Sequence, residues 1–287
     1  MLNDRCSKIK IAHIIDPIEK IDISKDTSFM FIESGNKKGW CQYIIEEQNL
    51  FVEDNTGFAL AWKISINKNI QPWYSLDKKK KLKLEFFDII LMRINPPFNM
   101  NYVYMTYILE LAEKRGSWII NKPKSLRSYN EKFSICLHPE IIPNTMISKD
   151  TRTIKKFLRQ HQKVVVKPLD SMSGSSIFLI QDNDINANAI LENLTKNEKQ
   201  FIMIQKYQDE IQEGDKRIII IDGKPMKYLA CRIPNKLDWR GNVSKGATVK
   251  IKELNYLEKL ISNELGVFLK SQGILFAGID LIGNKVT

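Results

Sequence analysis

Val164-Val-Val-Lys-Pro-Leu-Asp-Ser-Met-Ser-Gly-Ser-Ser-Ile-Phe-Leu-Ile180 is the stretch on which the fold prediction rests. An apolar run leads into Lys167, a loop of mostly small residues follows at Asp170–Ser176, and a second apolar run continues the chain. This order predicts a strand, a loop and a second strand. Because a loop with little bulk lets backbone N–H groups approach an anion, the lysine at its entrance indicates a phosphate site. The alternative is an ordinary hairpin with a solvated lysine.

The bulk composition is that of a globular protein. The chain has 287 residues, of which 43% are hydrophobic and 27% charged, so two or three packed subdomains are expected. A net charge of +11 is compatible with nucleic acid, an acidic membrane surface or small anionic substrates. The dense basic run Lys78–Lys81 contains no aromatic residues, and we interpret it as a solvated loop or helix face. Nucleic-acid binding is therefore not predicted.

Cysteine spacing and hydropathy exclude several other classes of protein. The four cysteines are widely spread and form no Cys-x-x-Cys pair, so neither a disulfide framework nor a zinc site is expected, and reduced thiols are. No apolar segment approaches the roughly 20 residues that span a bilayer, and the N-terminal residues lack the apolar core of a signal peptide. We expect a cytoplasmic protein without a membrane partner.

The first 122 residues predict an open α/β domain. A strand near 8–15, a helix that Asp26 can cap and a strand at 40–45 give β-α-β order, which favours a parallel sheet. Further strands are predicted near 88–93 and 118–120. Ligands of such sheets bind beyond the carboxyl ends of the strands. Asp16 and Arg93 follow two of these ends, where they are candidates for binding or ordinary turn residues.

Residues 122–207 carry four further candidates, one lysine and a group of three at a strand end. Lys122 follows the strand at 118–120, and a helix is predicted at 125–137. Gln205-Lys-Tyr207 ends an apolar run, where free backbone groups at a strand end can bind the edge of a flat heterocycle such as adenine. An ordinary domain hinge is the alternative for this strand end.

The last segment combines two arginines with one carboxylate. Asp222-Gly223 predicts a two-residue hairpin turn, and alternation along its strands can bring Arg217 and Arg232 to one cleft. Two arginines suit bidentate binding of phosphate or carboxylate, although surface ion pairs are the alternative. Asp280 lies in the apolar strand predicted at 274–282, where a carboxylate needs a metal or a cation.

Many short fragments, each weak alone, occur in an order that is specific. They are Asp16-Pro-Ile18, Lys25-Asp-Thr-Ser-Phe29, Ile89-Ile-Leu-Met-Arg93, Pro96-Pro-Phe98, Ile120-Asn-Lys-Pro123, Ser125-Leu-Arg127, Asn130-Glu-Lys132, Val166-Lys-Pro-Leu-Asp170, Ser176-Ile-Phe178, Gly214-Asp-Lys-Arg217, Ala230-Cys-Arg-Ile-Pro234, Arg240-Gly-Asn242 and Gly278-Ile-Asp-Leu-Ile-Gly283. In this order the chain resembles bacterial glutathione synthetases of the ATP-grasp superfamily over nearly its whole length.

The resemblance implies an α/β ATP-grasp fold in three subdomains. These are an N-terminal substrate domain at 1–122, a central lid subdomain at 123–204 and a C-terminal subdomain at 205–287. The implied activity is ATP-dependent ligation of glycine to γ-glutamylcysteine through an acyl phosphate, giving glutathione, ADP and phosphate. The implied cofactors are ATP and Mg²⁺, with Mn²⁺ as an alternative. The partners are these small substrates and a second copy of the chain in a homo-oligomer.

The resemblance also assigns roles to individual residues. The residues that bind the nucleotide are Lys122, Lys167, Ser173, Gly174, Ser175, Gln205, Lys206 and Tyr207. The residues on the dipeptide side are Asp16, Arg93, Arg240 and Asn242. Arg217 and Arg232 contact phosphate or stabilise the transferring group, and Asp280 binds magnesium.

Three departures from the family pattern bear on activity. The phosphate loop reads Asp170-Ser-Met-Ser-Gly174, with serine at two positions that are glycine in the family. The substrate loop reads Gly246-Ala-Thr-Val249 where the family has Gly-Gly-Arg-Gly. The sequence ends at Thr287, before the Glu and Asn that complete the family's magnesium site, so we expect a truncated C-terminal subdomain. The alternatives to glutathione synthesis are a non-catalytic nucleotide-binding remnant and another ATP-grasp carboxylate–amine ligase.

Overall fold

A computed structural model describes residues 9–170, 176–235 and 238–287. These residues divide into two compact units. Unit 1 comprises residues 9–95 and 99–127, and unit 2 comprises residues 96–98 with the described residues from 128 onward. Each unit has its own sheet structure and hydrophobic cores.

Unit 1 contains eight strands and three helices within its described residues. The strands are β1 (Lys10–Ile14), β2 (Cys41–Ile45), β3 (Leu50–Glu53), β4 (Thr56–Ile66), β5 (Tyr74–Leu76), β6 (Lys80–Lys83), β7 (Ile89–Met92) and β8 (Trp118–Ile120). The helices are α1 (Thr27–Lys37), α2 (Met100–Glu113) and α3 (Pro123–Ser128).

The sheet of unit 1 has a parallel centre and an antiparallel extension. Strands β2, β1, β7 and β8 are parallel neighbours, as the β-α-β order predicts. Strand β4 pairs antiparallel with β2, and β3, β5 and β6 all pair with β4. Strand β4 therefore has four partners, and the antiparallel extension is larger than the β3–β4 hairpin alone.

The basic run at 78–81 is part of this extension. Lys80 and Lys81 begin β6, so the prediction of a loop or helix face is wrong for these two, whereas the expected exposure to solvent is found for all four lysines. The Lys79 ammonium lies 4.0 Å from the centre of the Trp62 ring, and that of Lys81 lies 4.7 Å from the Phe58 ring. The aromatic partners come from β4, so they are invisible within the run itself.

Helices cover the parallel strands through two separate cores. The side chain of Asp26 accepts a hydrogen bond from the Ser28 N–H and caps α1, as predicted. Phe29 and Ile32 of α1 pack in one core, and α2 contributes Met105 and Leu109 to the other. These helices hold the carboxyl ends of β1 and β7 in fixed positions.

His13 lies on β1 and is fully buried. Its Nε2 is 3.0 Å from the side-chain oxygen of Gln42, whose own Nε2 donates to the Ile32 carbonyl. Burial lowers the pKa of His13 to about 4, from an ordinary value of 6.5. The imidazole is therefore neutral in the folded protein at neutral pH.

Stability of unit 1 is expected to fall as the pH is lowered from 6.5 to 4. In this window the unfolded chain protonates His13 and the folded chain does not, which removes up to about 3 kcal/mol of the free energy of unfolding. Urea unfolding followed by tryptophan fluorescence measures this, since Trp40, Trp62, Trp73 and Trp118 all lie in unit 1.

The matched comparison uses two glutamine variants. His13→Gln should lose most of this pH dependence, whereas His161→Gln in unit 2 should retain it. A His13→Gln protein whose unfolding free energy changes with pH as steeply as that of the original chain would contradict the assignment.

Unit 2 contains nine strands and three helices in the part of the chain that the structure describes. The strands are β9 (Thr145–Ser148), β10 (Lys163–Pro168), β11 (Phe178–Gln181), β12 (Ile202–Lys206), β13 (Asp215–Ile221), β14 (Lys224–Ile233), β15 (Thr248–Glu253), β16 (Phe276–Ile282) and β17 (Lys285–Val286). The helices are α4 (Thr151–His161), α5 (Ala187–Thr195) and α6 (Tyr256–Ser271).

Two antiparallel sheets organise unit 2. The first has the order β11-β10-β12-β9, and the second has the order β15-β14-β13-β16-β17. Helices α4 and α5 pack on the side of the first sheet that carries Val164 and Ile204. Helix α6 packs on the side of the second sheet that carries Leu229 and Leu281. The opposite side of the first sheet carries Lys167 and Gln205 among apolar side chains such as Val165 and Met203.

The helix predicted at 125–137 is wrong in its second half. Helix α3 ends at Ser128, and two 3-10 turns follow at Phe133–Leu137 and Pro139–Ile141. The side-chain oxygen of Asn130 accepts hydrogen bonds from the N–H groups of Lys132 and Phe133. Asparagine thus starts a new turn in place of a continuous helix.

None of the helices in residues 9–170, 176–235 and 238–287 is both long and apolar enough to cross a bilayer.

Helix α6 touches the β13–β14 hairpin at a pair of glycines. The turn residues Asp222 and Gly223 have φ values of +49° and +77°, which matches the predicted two-residue turn. A Cβ atom at Gly266 of α6 would overlap the carbonyl group of Gly223. The hairpin therefore reaches this position only because residue 266 has no side chain.

Gly266→Ala is expected to destabilise unit 2 despite the better helix propensity of alanine. Overlap with backbone costs about 1–3 kcal/mol, which exceeds the roughly 1 kcal/mol that alanine gains in a helix. Urea unfolding followed by circular dichroism should show the loss, and hydrogen exchange should locate it in β13 and β14. Val267→Ala is the control, because Val267 is 70% exposed and should change stability by less than about 0.5 kcal/mol. Equal stability of the two variants would contradict the contact.

Candidate functional site

The helix-free side of the first sheet in unit 2 carries three of the predicted nucleotide-binding residues. Lys167 is paired with Met203, and Val165 with Gln205. Paired residues face the same side, and alternate residues of a strand share a face. Lys167, Gln205 and Tyr207 therefore lie on the side opposite to the helices. Lys206 points to the other side and is exposed, so only its backbone belongs to the predicted strand end.

Lys167 is held in a buried position between opposing charges. Its exposed fraction is 8%. Burial, with repulsion from Lys132, lowers its pKa to about 8, while the carboxylates of Asp215 and Asp280 act in the opposite direction. These two carboxylates belong to the second sheet, so the polar sides of the two sheets share one electrostatic environment. Because the Lys167 ammonium is already shielded from water, it loses little solvation when it binds a polyanion.

Lys132 is a second lysine that the sequence reasoning left without a role. The amide of Asn130 donates to the carbonyl of Leu169, which ties the turn at 130–133 to the exit of β10. Burial lowers the pKa of Lys132, and Glu131 and Asp170 partly offset this effect. The Asn-Glu-Lys fragment contributed to the family resemblance, but the sequence predicted a helix across it and not this turn. Its closeness to Lys167 is a tertiary contact that spacing does not reveal.

The second sheet gathers two acids and two arginines on its helix-free side. Asp215 is paired with Arg232 in the β13–β14 register, and Arg217 is paired with Asp280 in the β13–β16 register. Residues 215 and 217 share a face because they are two apart. We call these four residues the carboxylate–arginine cluster.

The carboxylate–arginine cluster is fully connected by ion pairs. The Arg217 guanidinium donates to both oxygens of Asp280, at 2.5 and 2.7 Å. Nη2 of Arg232 donates to Asp215 Oδ2 at 2.6 Å and to Asp280 Oδ1. Burial and the nearby charge of Asp280 raise the pKa of Asp215 to about 6. The prediction that Arg217 and Arg232 share one cleft stays untested by any bound ligand, but the two side chains do meet at Asp280.

Asp280 has the oxygen chemistry that Mg²⁺ prefers, but its two oxygens already accept hydrogen bonds from arginines. Asp215 Oδ1 is buried and has no hydrogen-bond partner within the described part of the chain. Across residues 9–170, 176–235 and 238–287, no group of three or more His, Cys, Asp or Glu residues is arranged to hold a metal. The residues fit a Mg²⁺ ion shared with nucleotide phosphates, and they do not fit one held by these protein ligands alone.

The loop after β14 places Arg240 and Asn242 beside this cluster. Arg240 forms a fork with Asp238, with Nε–Oδ1 at 2.9 Å and Nη2–Oδ2 at 2.6 Å. This contact lowers the pKa of Asp238 to about 2. The Asn242 carbonyl accepts from the N–H of Lys245 at 2.9 Å and so starts a short 3-10 turn.

The remaining candidates of unit 1 lie at strand ends, as predicted. Asp16 follows β1 and accepts a hydrogen bond of 2.6 Å from the Asn95 amide. Arg93 follows β7 and donates to the Thr27 hydroxyl at 2.7 Å, and burial lowers its pKa. Lys122 precedes α3, and its carbonyl accepts hydrogen bonds from the first turn of that helix. Of the predicted nucleotide-binding residues, Ser173, Gly174 and Ser175 lie outside the described residues.

The comparison with protein families covers almost the whole chain. Residues 9–127 match the family model "Prokaryotic glutathione synthetase, N-terminal domain", and residues 131–287 match "Prokaryotic glutathione synthetase, ATP-grasp domain". Glutathione synthetases of Wigglesworthia glossinidia brevipalpis and Photorhabdus laumondii are 42% and 38% identical to the chain. Both alignments cover 97% of this chain and 88% of the relative.

Solved structures agree on the fold at low sequence identity. The D-cycloserine synthetase DcsG has a TM-score of 0.65 at 12% identity, and the alignment covers 96% of this chain and 89% of that one. The ATP-grasp ligase PsnB, solved with a minimal precursor, Mg and ADP, has a TM-score of 0.61 at 14% identity and coverages of 96% and 87%. The predicted ATP-grasp fold and the resemblance found in the sequence are confirmed. The chain belongs to the prokaryotic glutathione synthetase family.

Proposed function

We propose that this chain is an ATP-dependent ligase that joins glycine to γ-glutamylcysteine and releases glutathione, ADP and phosphate. The observation that carries the proposal is the polar cleft of unit 2. There the buried Lys167 shares an electrostatic environment with the carboxylate–arginine cluster, in a chain of this family. Phosphoryl transfer requires mainly positioning and charge neutralisation, and this cleft offers both.

We assign nucleotide binding to the first sheet and its flanking turn. Lys167 and Lys132 supply two positive charges to the phosphates. Gln205 and Tyr207 border the adenine, with the Gln205 amide oriented by its 3.0 Å hydrogen bond to Thr145 Oγ1. Ser173, Gly174 and Ser175 stay predicted nucleotide-binding residues. Lys122 and Lys206 remain candidates, Lys206 through its backbone alone.

We assign phosphoryl transfer to the second sheet. The dipeptide's cysteine carboxylate attacks the γ-phosphorus of ATP, which forms an acyl phosphate and releases ADP. Arg217 and Arg232 neutralise the charge on the equatorial oxygens, a task for which a guanidinium is suited by its planar donors. When Mg²⁺ is bound with the nucleotide, Asp280 is its protein ligand and the ion neutralises phosphate charge.

The second step is attack of the glycine amine on the acyl carbon. The C–O bond to phosphate breaks, inorganic phosphate leaves and the amine loses a proton as the peptide bond forms. Water must be excluded during this interval, because it would hydrolyse the acyl phosphate. For the dipeptide side we retain Asp16, Arg93, Arg240 and Asn242. Each is of a residue type that such a substrate requires, since Arg93 and Arg240 can pair with carboxylates and Asp16 with an amine.

Several other expectations stay predictions. They are the subdomain bounds 1–122, 123–204 and 205–287, the cytoplasmic location, the homo-oligomer and the use of Mn²⁺ in place of Mg²⁺. The subdomain division inside unit 2 is supported by its two separate sheets and their separate cores.

The test is ligation with labelled dipeptide. γ-Glutamylcysteine carrying ¹⁸O in the cysteine carboxylate is incubated with glycine and Mg-ATP. Glutathione and ADP are expected in equal amounts, and the inorganic phosphate should carry one ¹⁸O atom because the carboxylate oxygen leaves with it. Reactions lacking glycine, dipeptide or Mg²⁺ serve as controls.

The other outcomes identify the alternatives. Saturable ATP binding without turnover would make the chain a nucleotide-binding remnant. Turnover with other acid and amine pairs, and none with γ-glutamylcysteine, would make it a different carboxylate–amine ligase. Glutathione with unlabelled phosphate would exclude the acyl phosphate.

A further inference from the structure

A short segment of the loop after β14 touches both halves of the cleft in unit 2. Trp239 lies edge-on to Tyr207, with ring centres 6.0 Å apart and an interplanar angle of 63°. Two residues later, a Cβ at Gly241 would overlap Asp215 and lie 3.1 Å from the Arg232 carbonyl oxygen. Segment 239–241 therefore spans from the proposed adenine wall to the carboxylate–arginine cluster, with Arg240 between its two contacts.

Tyr207 is buried and contacts Lys163 through both its backbone and its ring. Tyr207 is 9% exposed, and its N–H donates to the Lys163 carbonyl at 3.0 Å. The Lys163 ammonium lies 3.6 Å from the centre of its ring. Burial, together with the charge of Asp209, raises the pKa of Tyr207, so the ring is a neutral phenol at any physiological pH. The backbone of Tyr207 is thus held by the sheet, and its ring is the surface on which Trp239 packs.

The Trp239 side is held by local hydrogen bonds. The Asp238 N–H donates to the side-chain oxygen of Asn235 at 2.8 Å. The Asn235 amide donates to the carbonyls of Lys245 and Gly246, at 3.2 and 3.3 Å. Asp238 in turn holds Arg240 in a fork. Because Trp239 lies between Asp238 and Arg240 in this hydrogen-bonded segment, a displacement of Trp239 also displaces Arg240.

We propose that Trp239 is a positioning residue that couples nucleotide binding at Tyr207 to dipeptide binding at Arg240. Adenine seated against Tyr207 fixes the ring on which Trp239 packs, and Trp239 fixes the fork of Arg240 and Asp238. This inference rests on the proposed function for the identity of the two ligands. The sequence reasoning missed Trp239, since a single tryptophan in a polar loop is not a motif.

The test measures the coupling between the two ligands. The dissociation constant of the non-hydrolysable nucleotide AMPPNP is determined by calorimetry with and without γ-glutamylcysteine, in the full chain and in Trp239→Ala, Trp239→Leu and Trp239→Phe. The dipeptide should tighten AMPPNP binding in the original chain. The coupling is the ratio of the AMPPNP dissociation constants without and with the dipeptide. In the alanine and leucine variants this ratio should be about two- to tenfold smaller, the range that corresponds to one aromatic pair. Trp239→Phe, which keeps an aromatic edge, should retain it.

Steady-state kinetics separates positioning from general damage. The alanine variant should raise KM for the dipeptide about two- to tenfold with a smaller change in kcat. Trp118→Ala is the control, because Trp118 is an exposed tryptophan of unit 1 and should change neither quantity. Circular dichroism shows whether the alanine variant folds, and if it does not, the leucine variant decides.

Each result has one meaning. Unchanged coupling and unchanged KM in a folded variant that still binds AMPPNP would overturn the role of Trp239. Failure of the original chain to bind AMPPNP or to ligate would instead overturn the proposed function, and with it the inference. The two failures are distinguishable because only the second appears in the original chain.

Discussion

Lys167→Gln is expected to weaken ATP binding by at least about 100-fold, which amounts to nearly 3 kcal/mol. The lysine is buried beside two carboxylates. Its removal takes away the buried ammonium next to these carboxylates and leaves Lys132 as the only lysine assigned to the phosphates. Calorimetry with AMPPNP measures the change. Lys270→Gln is the matched control, since Lys270 pairs with Asp222 at the surface and should leave binding unaltered.

The same site predicts the pH dependence of nucleotide affinity. Only protonated Lys167 attracts phosphate, and its pKa in the free protein is about 8. Raising the pH from 7 to 9 deprotonates most of it, so the dissociation constant should rise about tenfold, the factor per pH unit above the pKa. Lys167→Arg keeps its charge throughout and should show a flat profile. Equal profiles for the original chain and the arginine variant would contradict the assignment.

Asp280→Asn is expected to affect both stability and turnover. The carboxylate receives both arginines of the cluster, and it is 25% exposed in its side chain. Breaking such a pair leaves buried charges without a partner and costs about 3 kcal/mol. Loss of the Mg²⁺ ligand and of arginine orientation should also lower kcat by about 10³-fold.

The surface pair Asp222–Lys270 provides the control for this change. Asp222→Asn removes a carboxylate from an exposed pair at a turn where asparagine is well tolerated. Unfolding free energy and kcat should both stay close to those of the original chain. An Asp280→Asn protein as active and as stable as this control would show that Asp280 neither orients the arginines nor serves catalysis.

Local patterns were sufficient to predict much of the fold. The apolar runs on either side of Lys167 are β10 and β11, and Asp26 caps α1. Both features were predictable because they depend on residues that are close in sequence. Predictions failed where partners are distant in sequence. The run at 78–81 becomes partly a strand because β4 lies beside it, and β4 is about 20 residues earlier in the chain.

The candidate site was predictable as a set of residue types and less so as an arrangement. Strand alternation predicted that Arg217 and Arg232 share a face. It did not predict that Asp280 accepts from both, because this depends on the register between β13 and β16. Lys132 and Trp239 were missed for a related reason: their partners Lys167 and Tyr207 are more than 30 residues away in the chain.

The carboxylate–arginine cluster also bears on anion selectivity. Asp215 and Asp280 are counterions of the two arginines, so the cluster of four residues has no net charge when both carboxylates are ionised. A simple anion such as phosphate or sulfate would have to displace both carboxylates for the gain of a single contact. A nucleotide that displaces the carboxylates also gains contacts of its adenine and of the metal ion bound to its phosphates. We therefore expect these two arginines to bind free phosphate or sulfate more weakly than they bind the phosphates of a nucleotide.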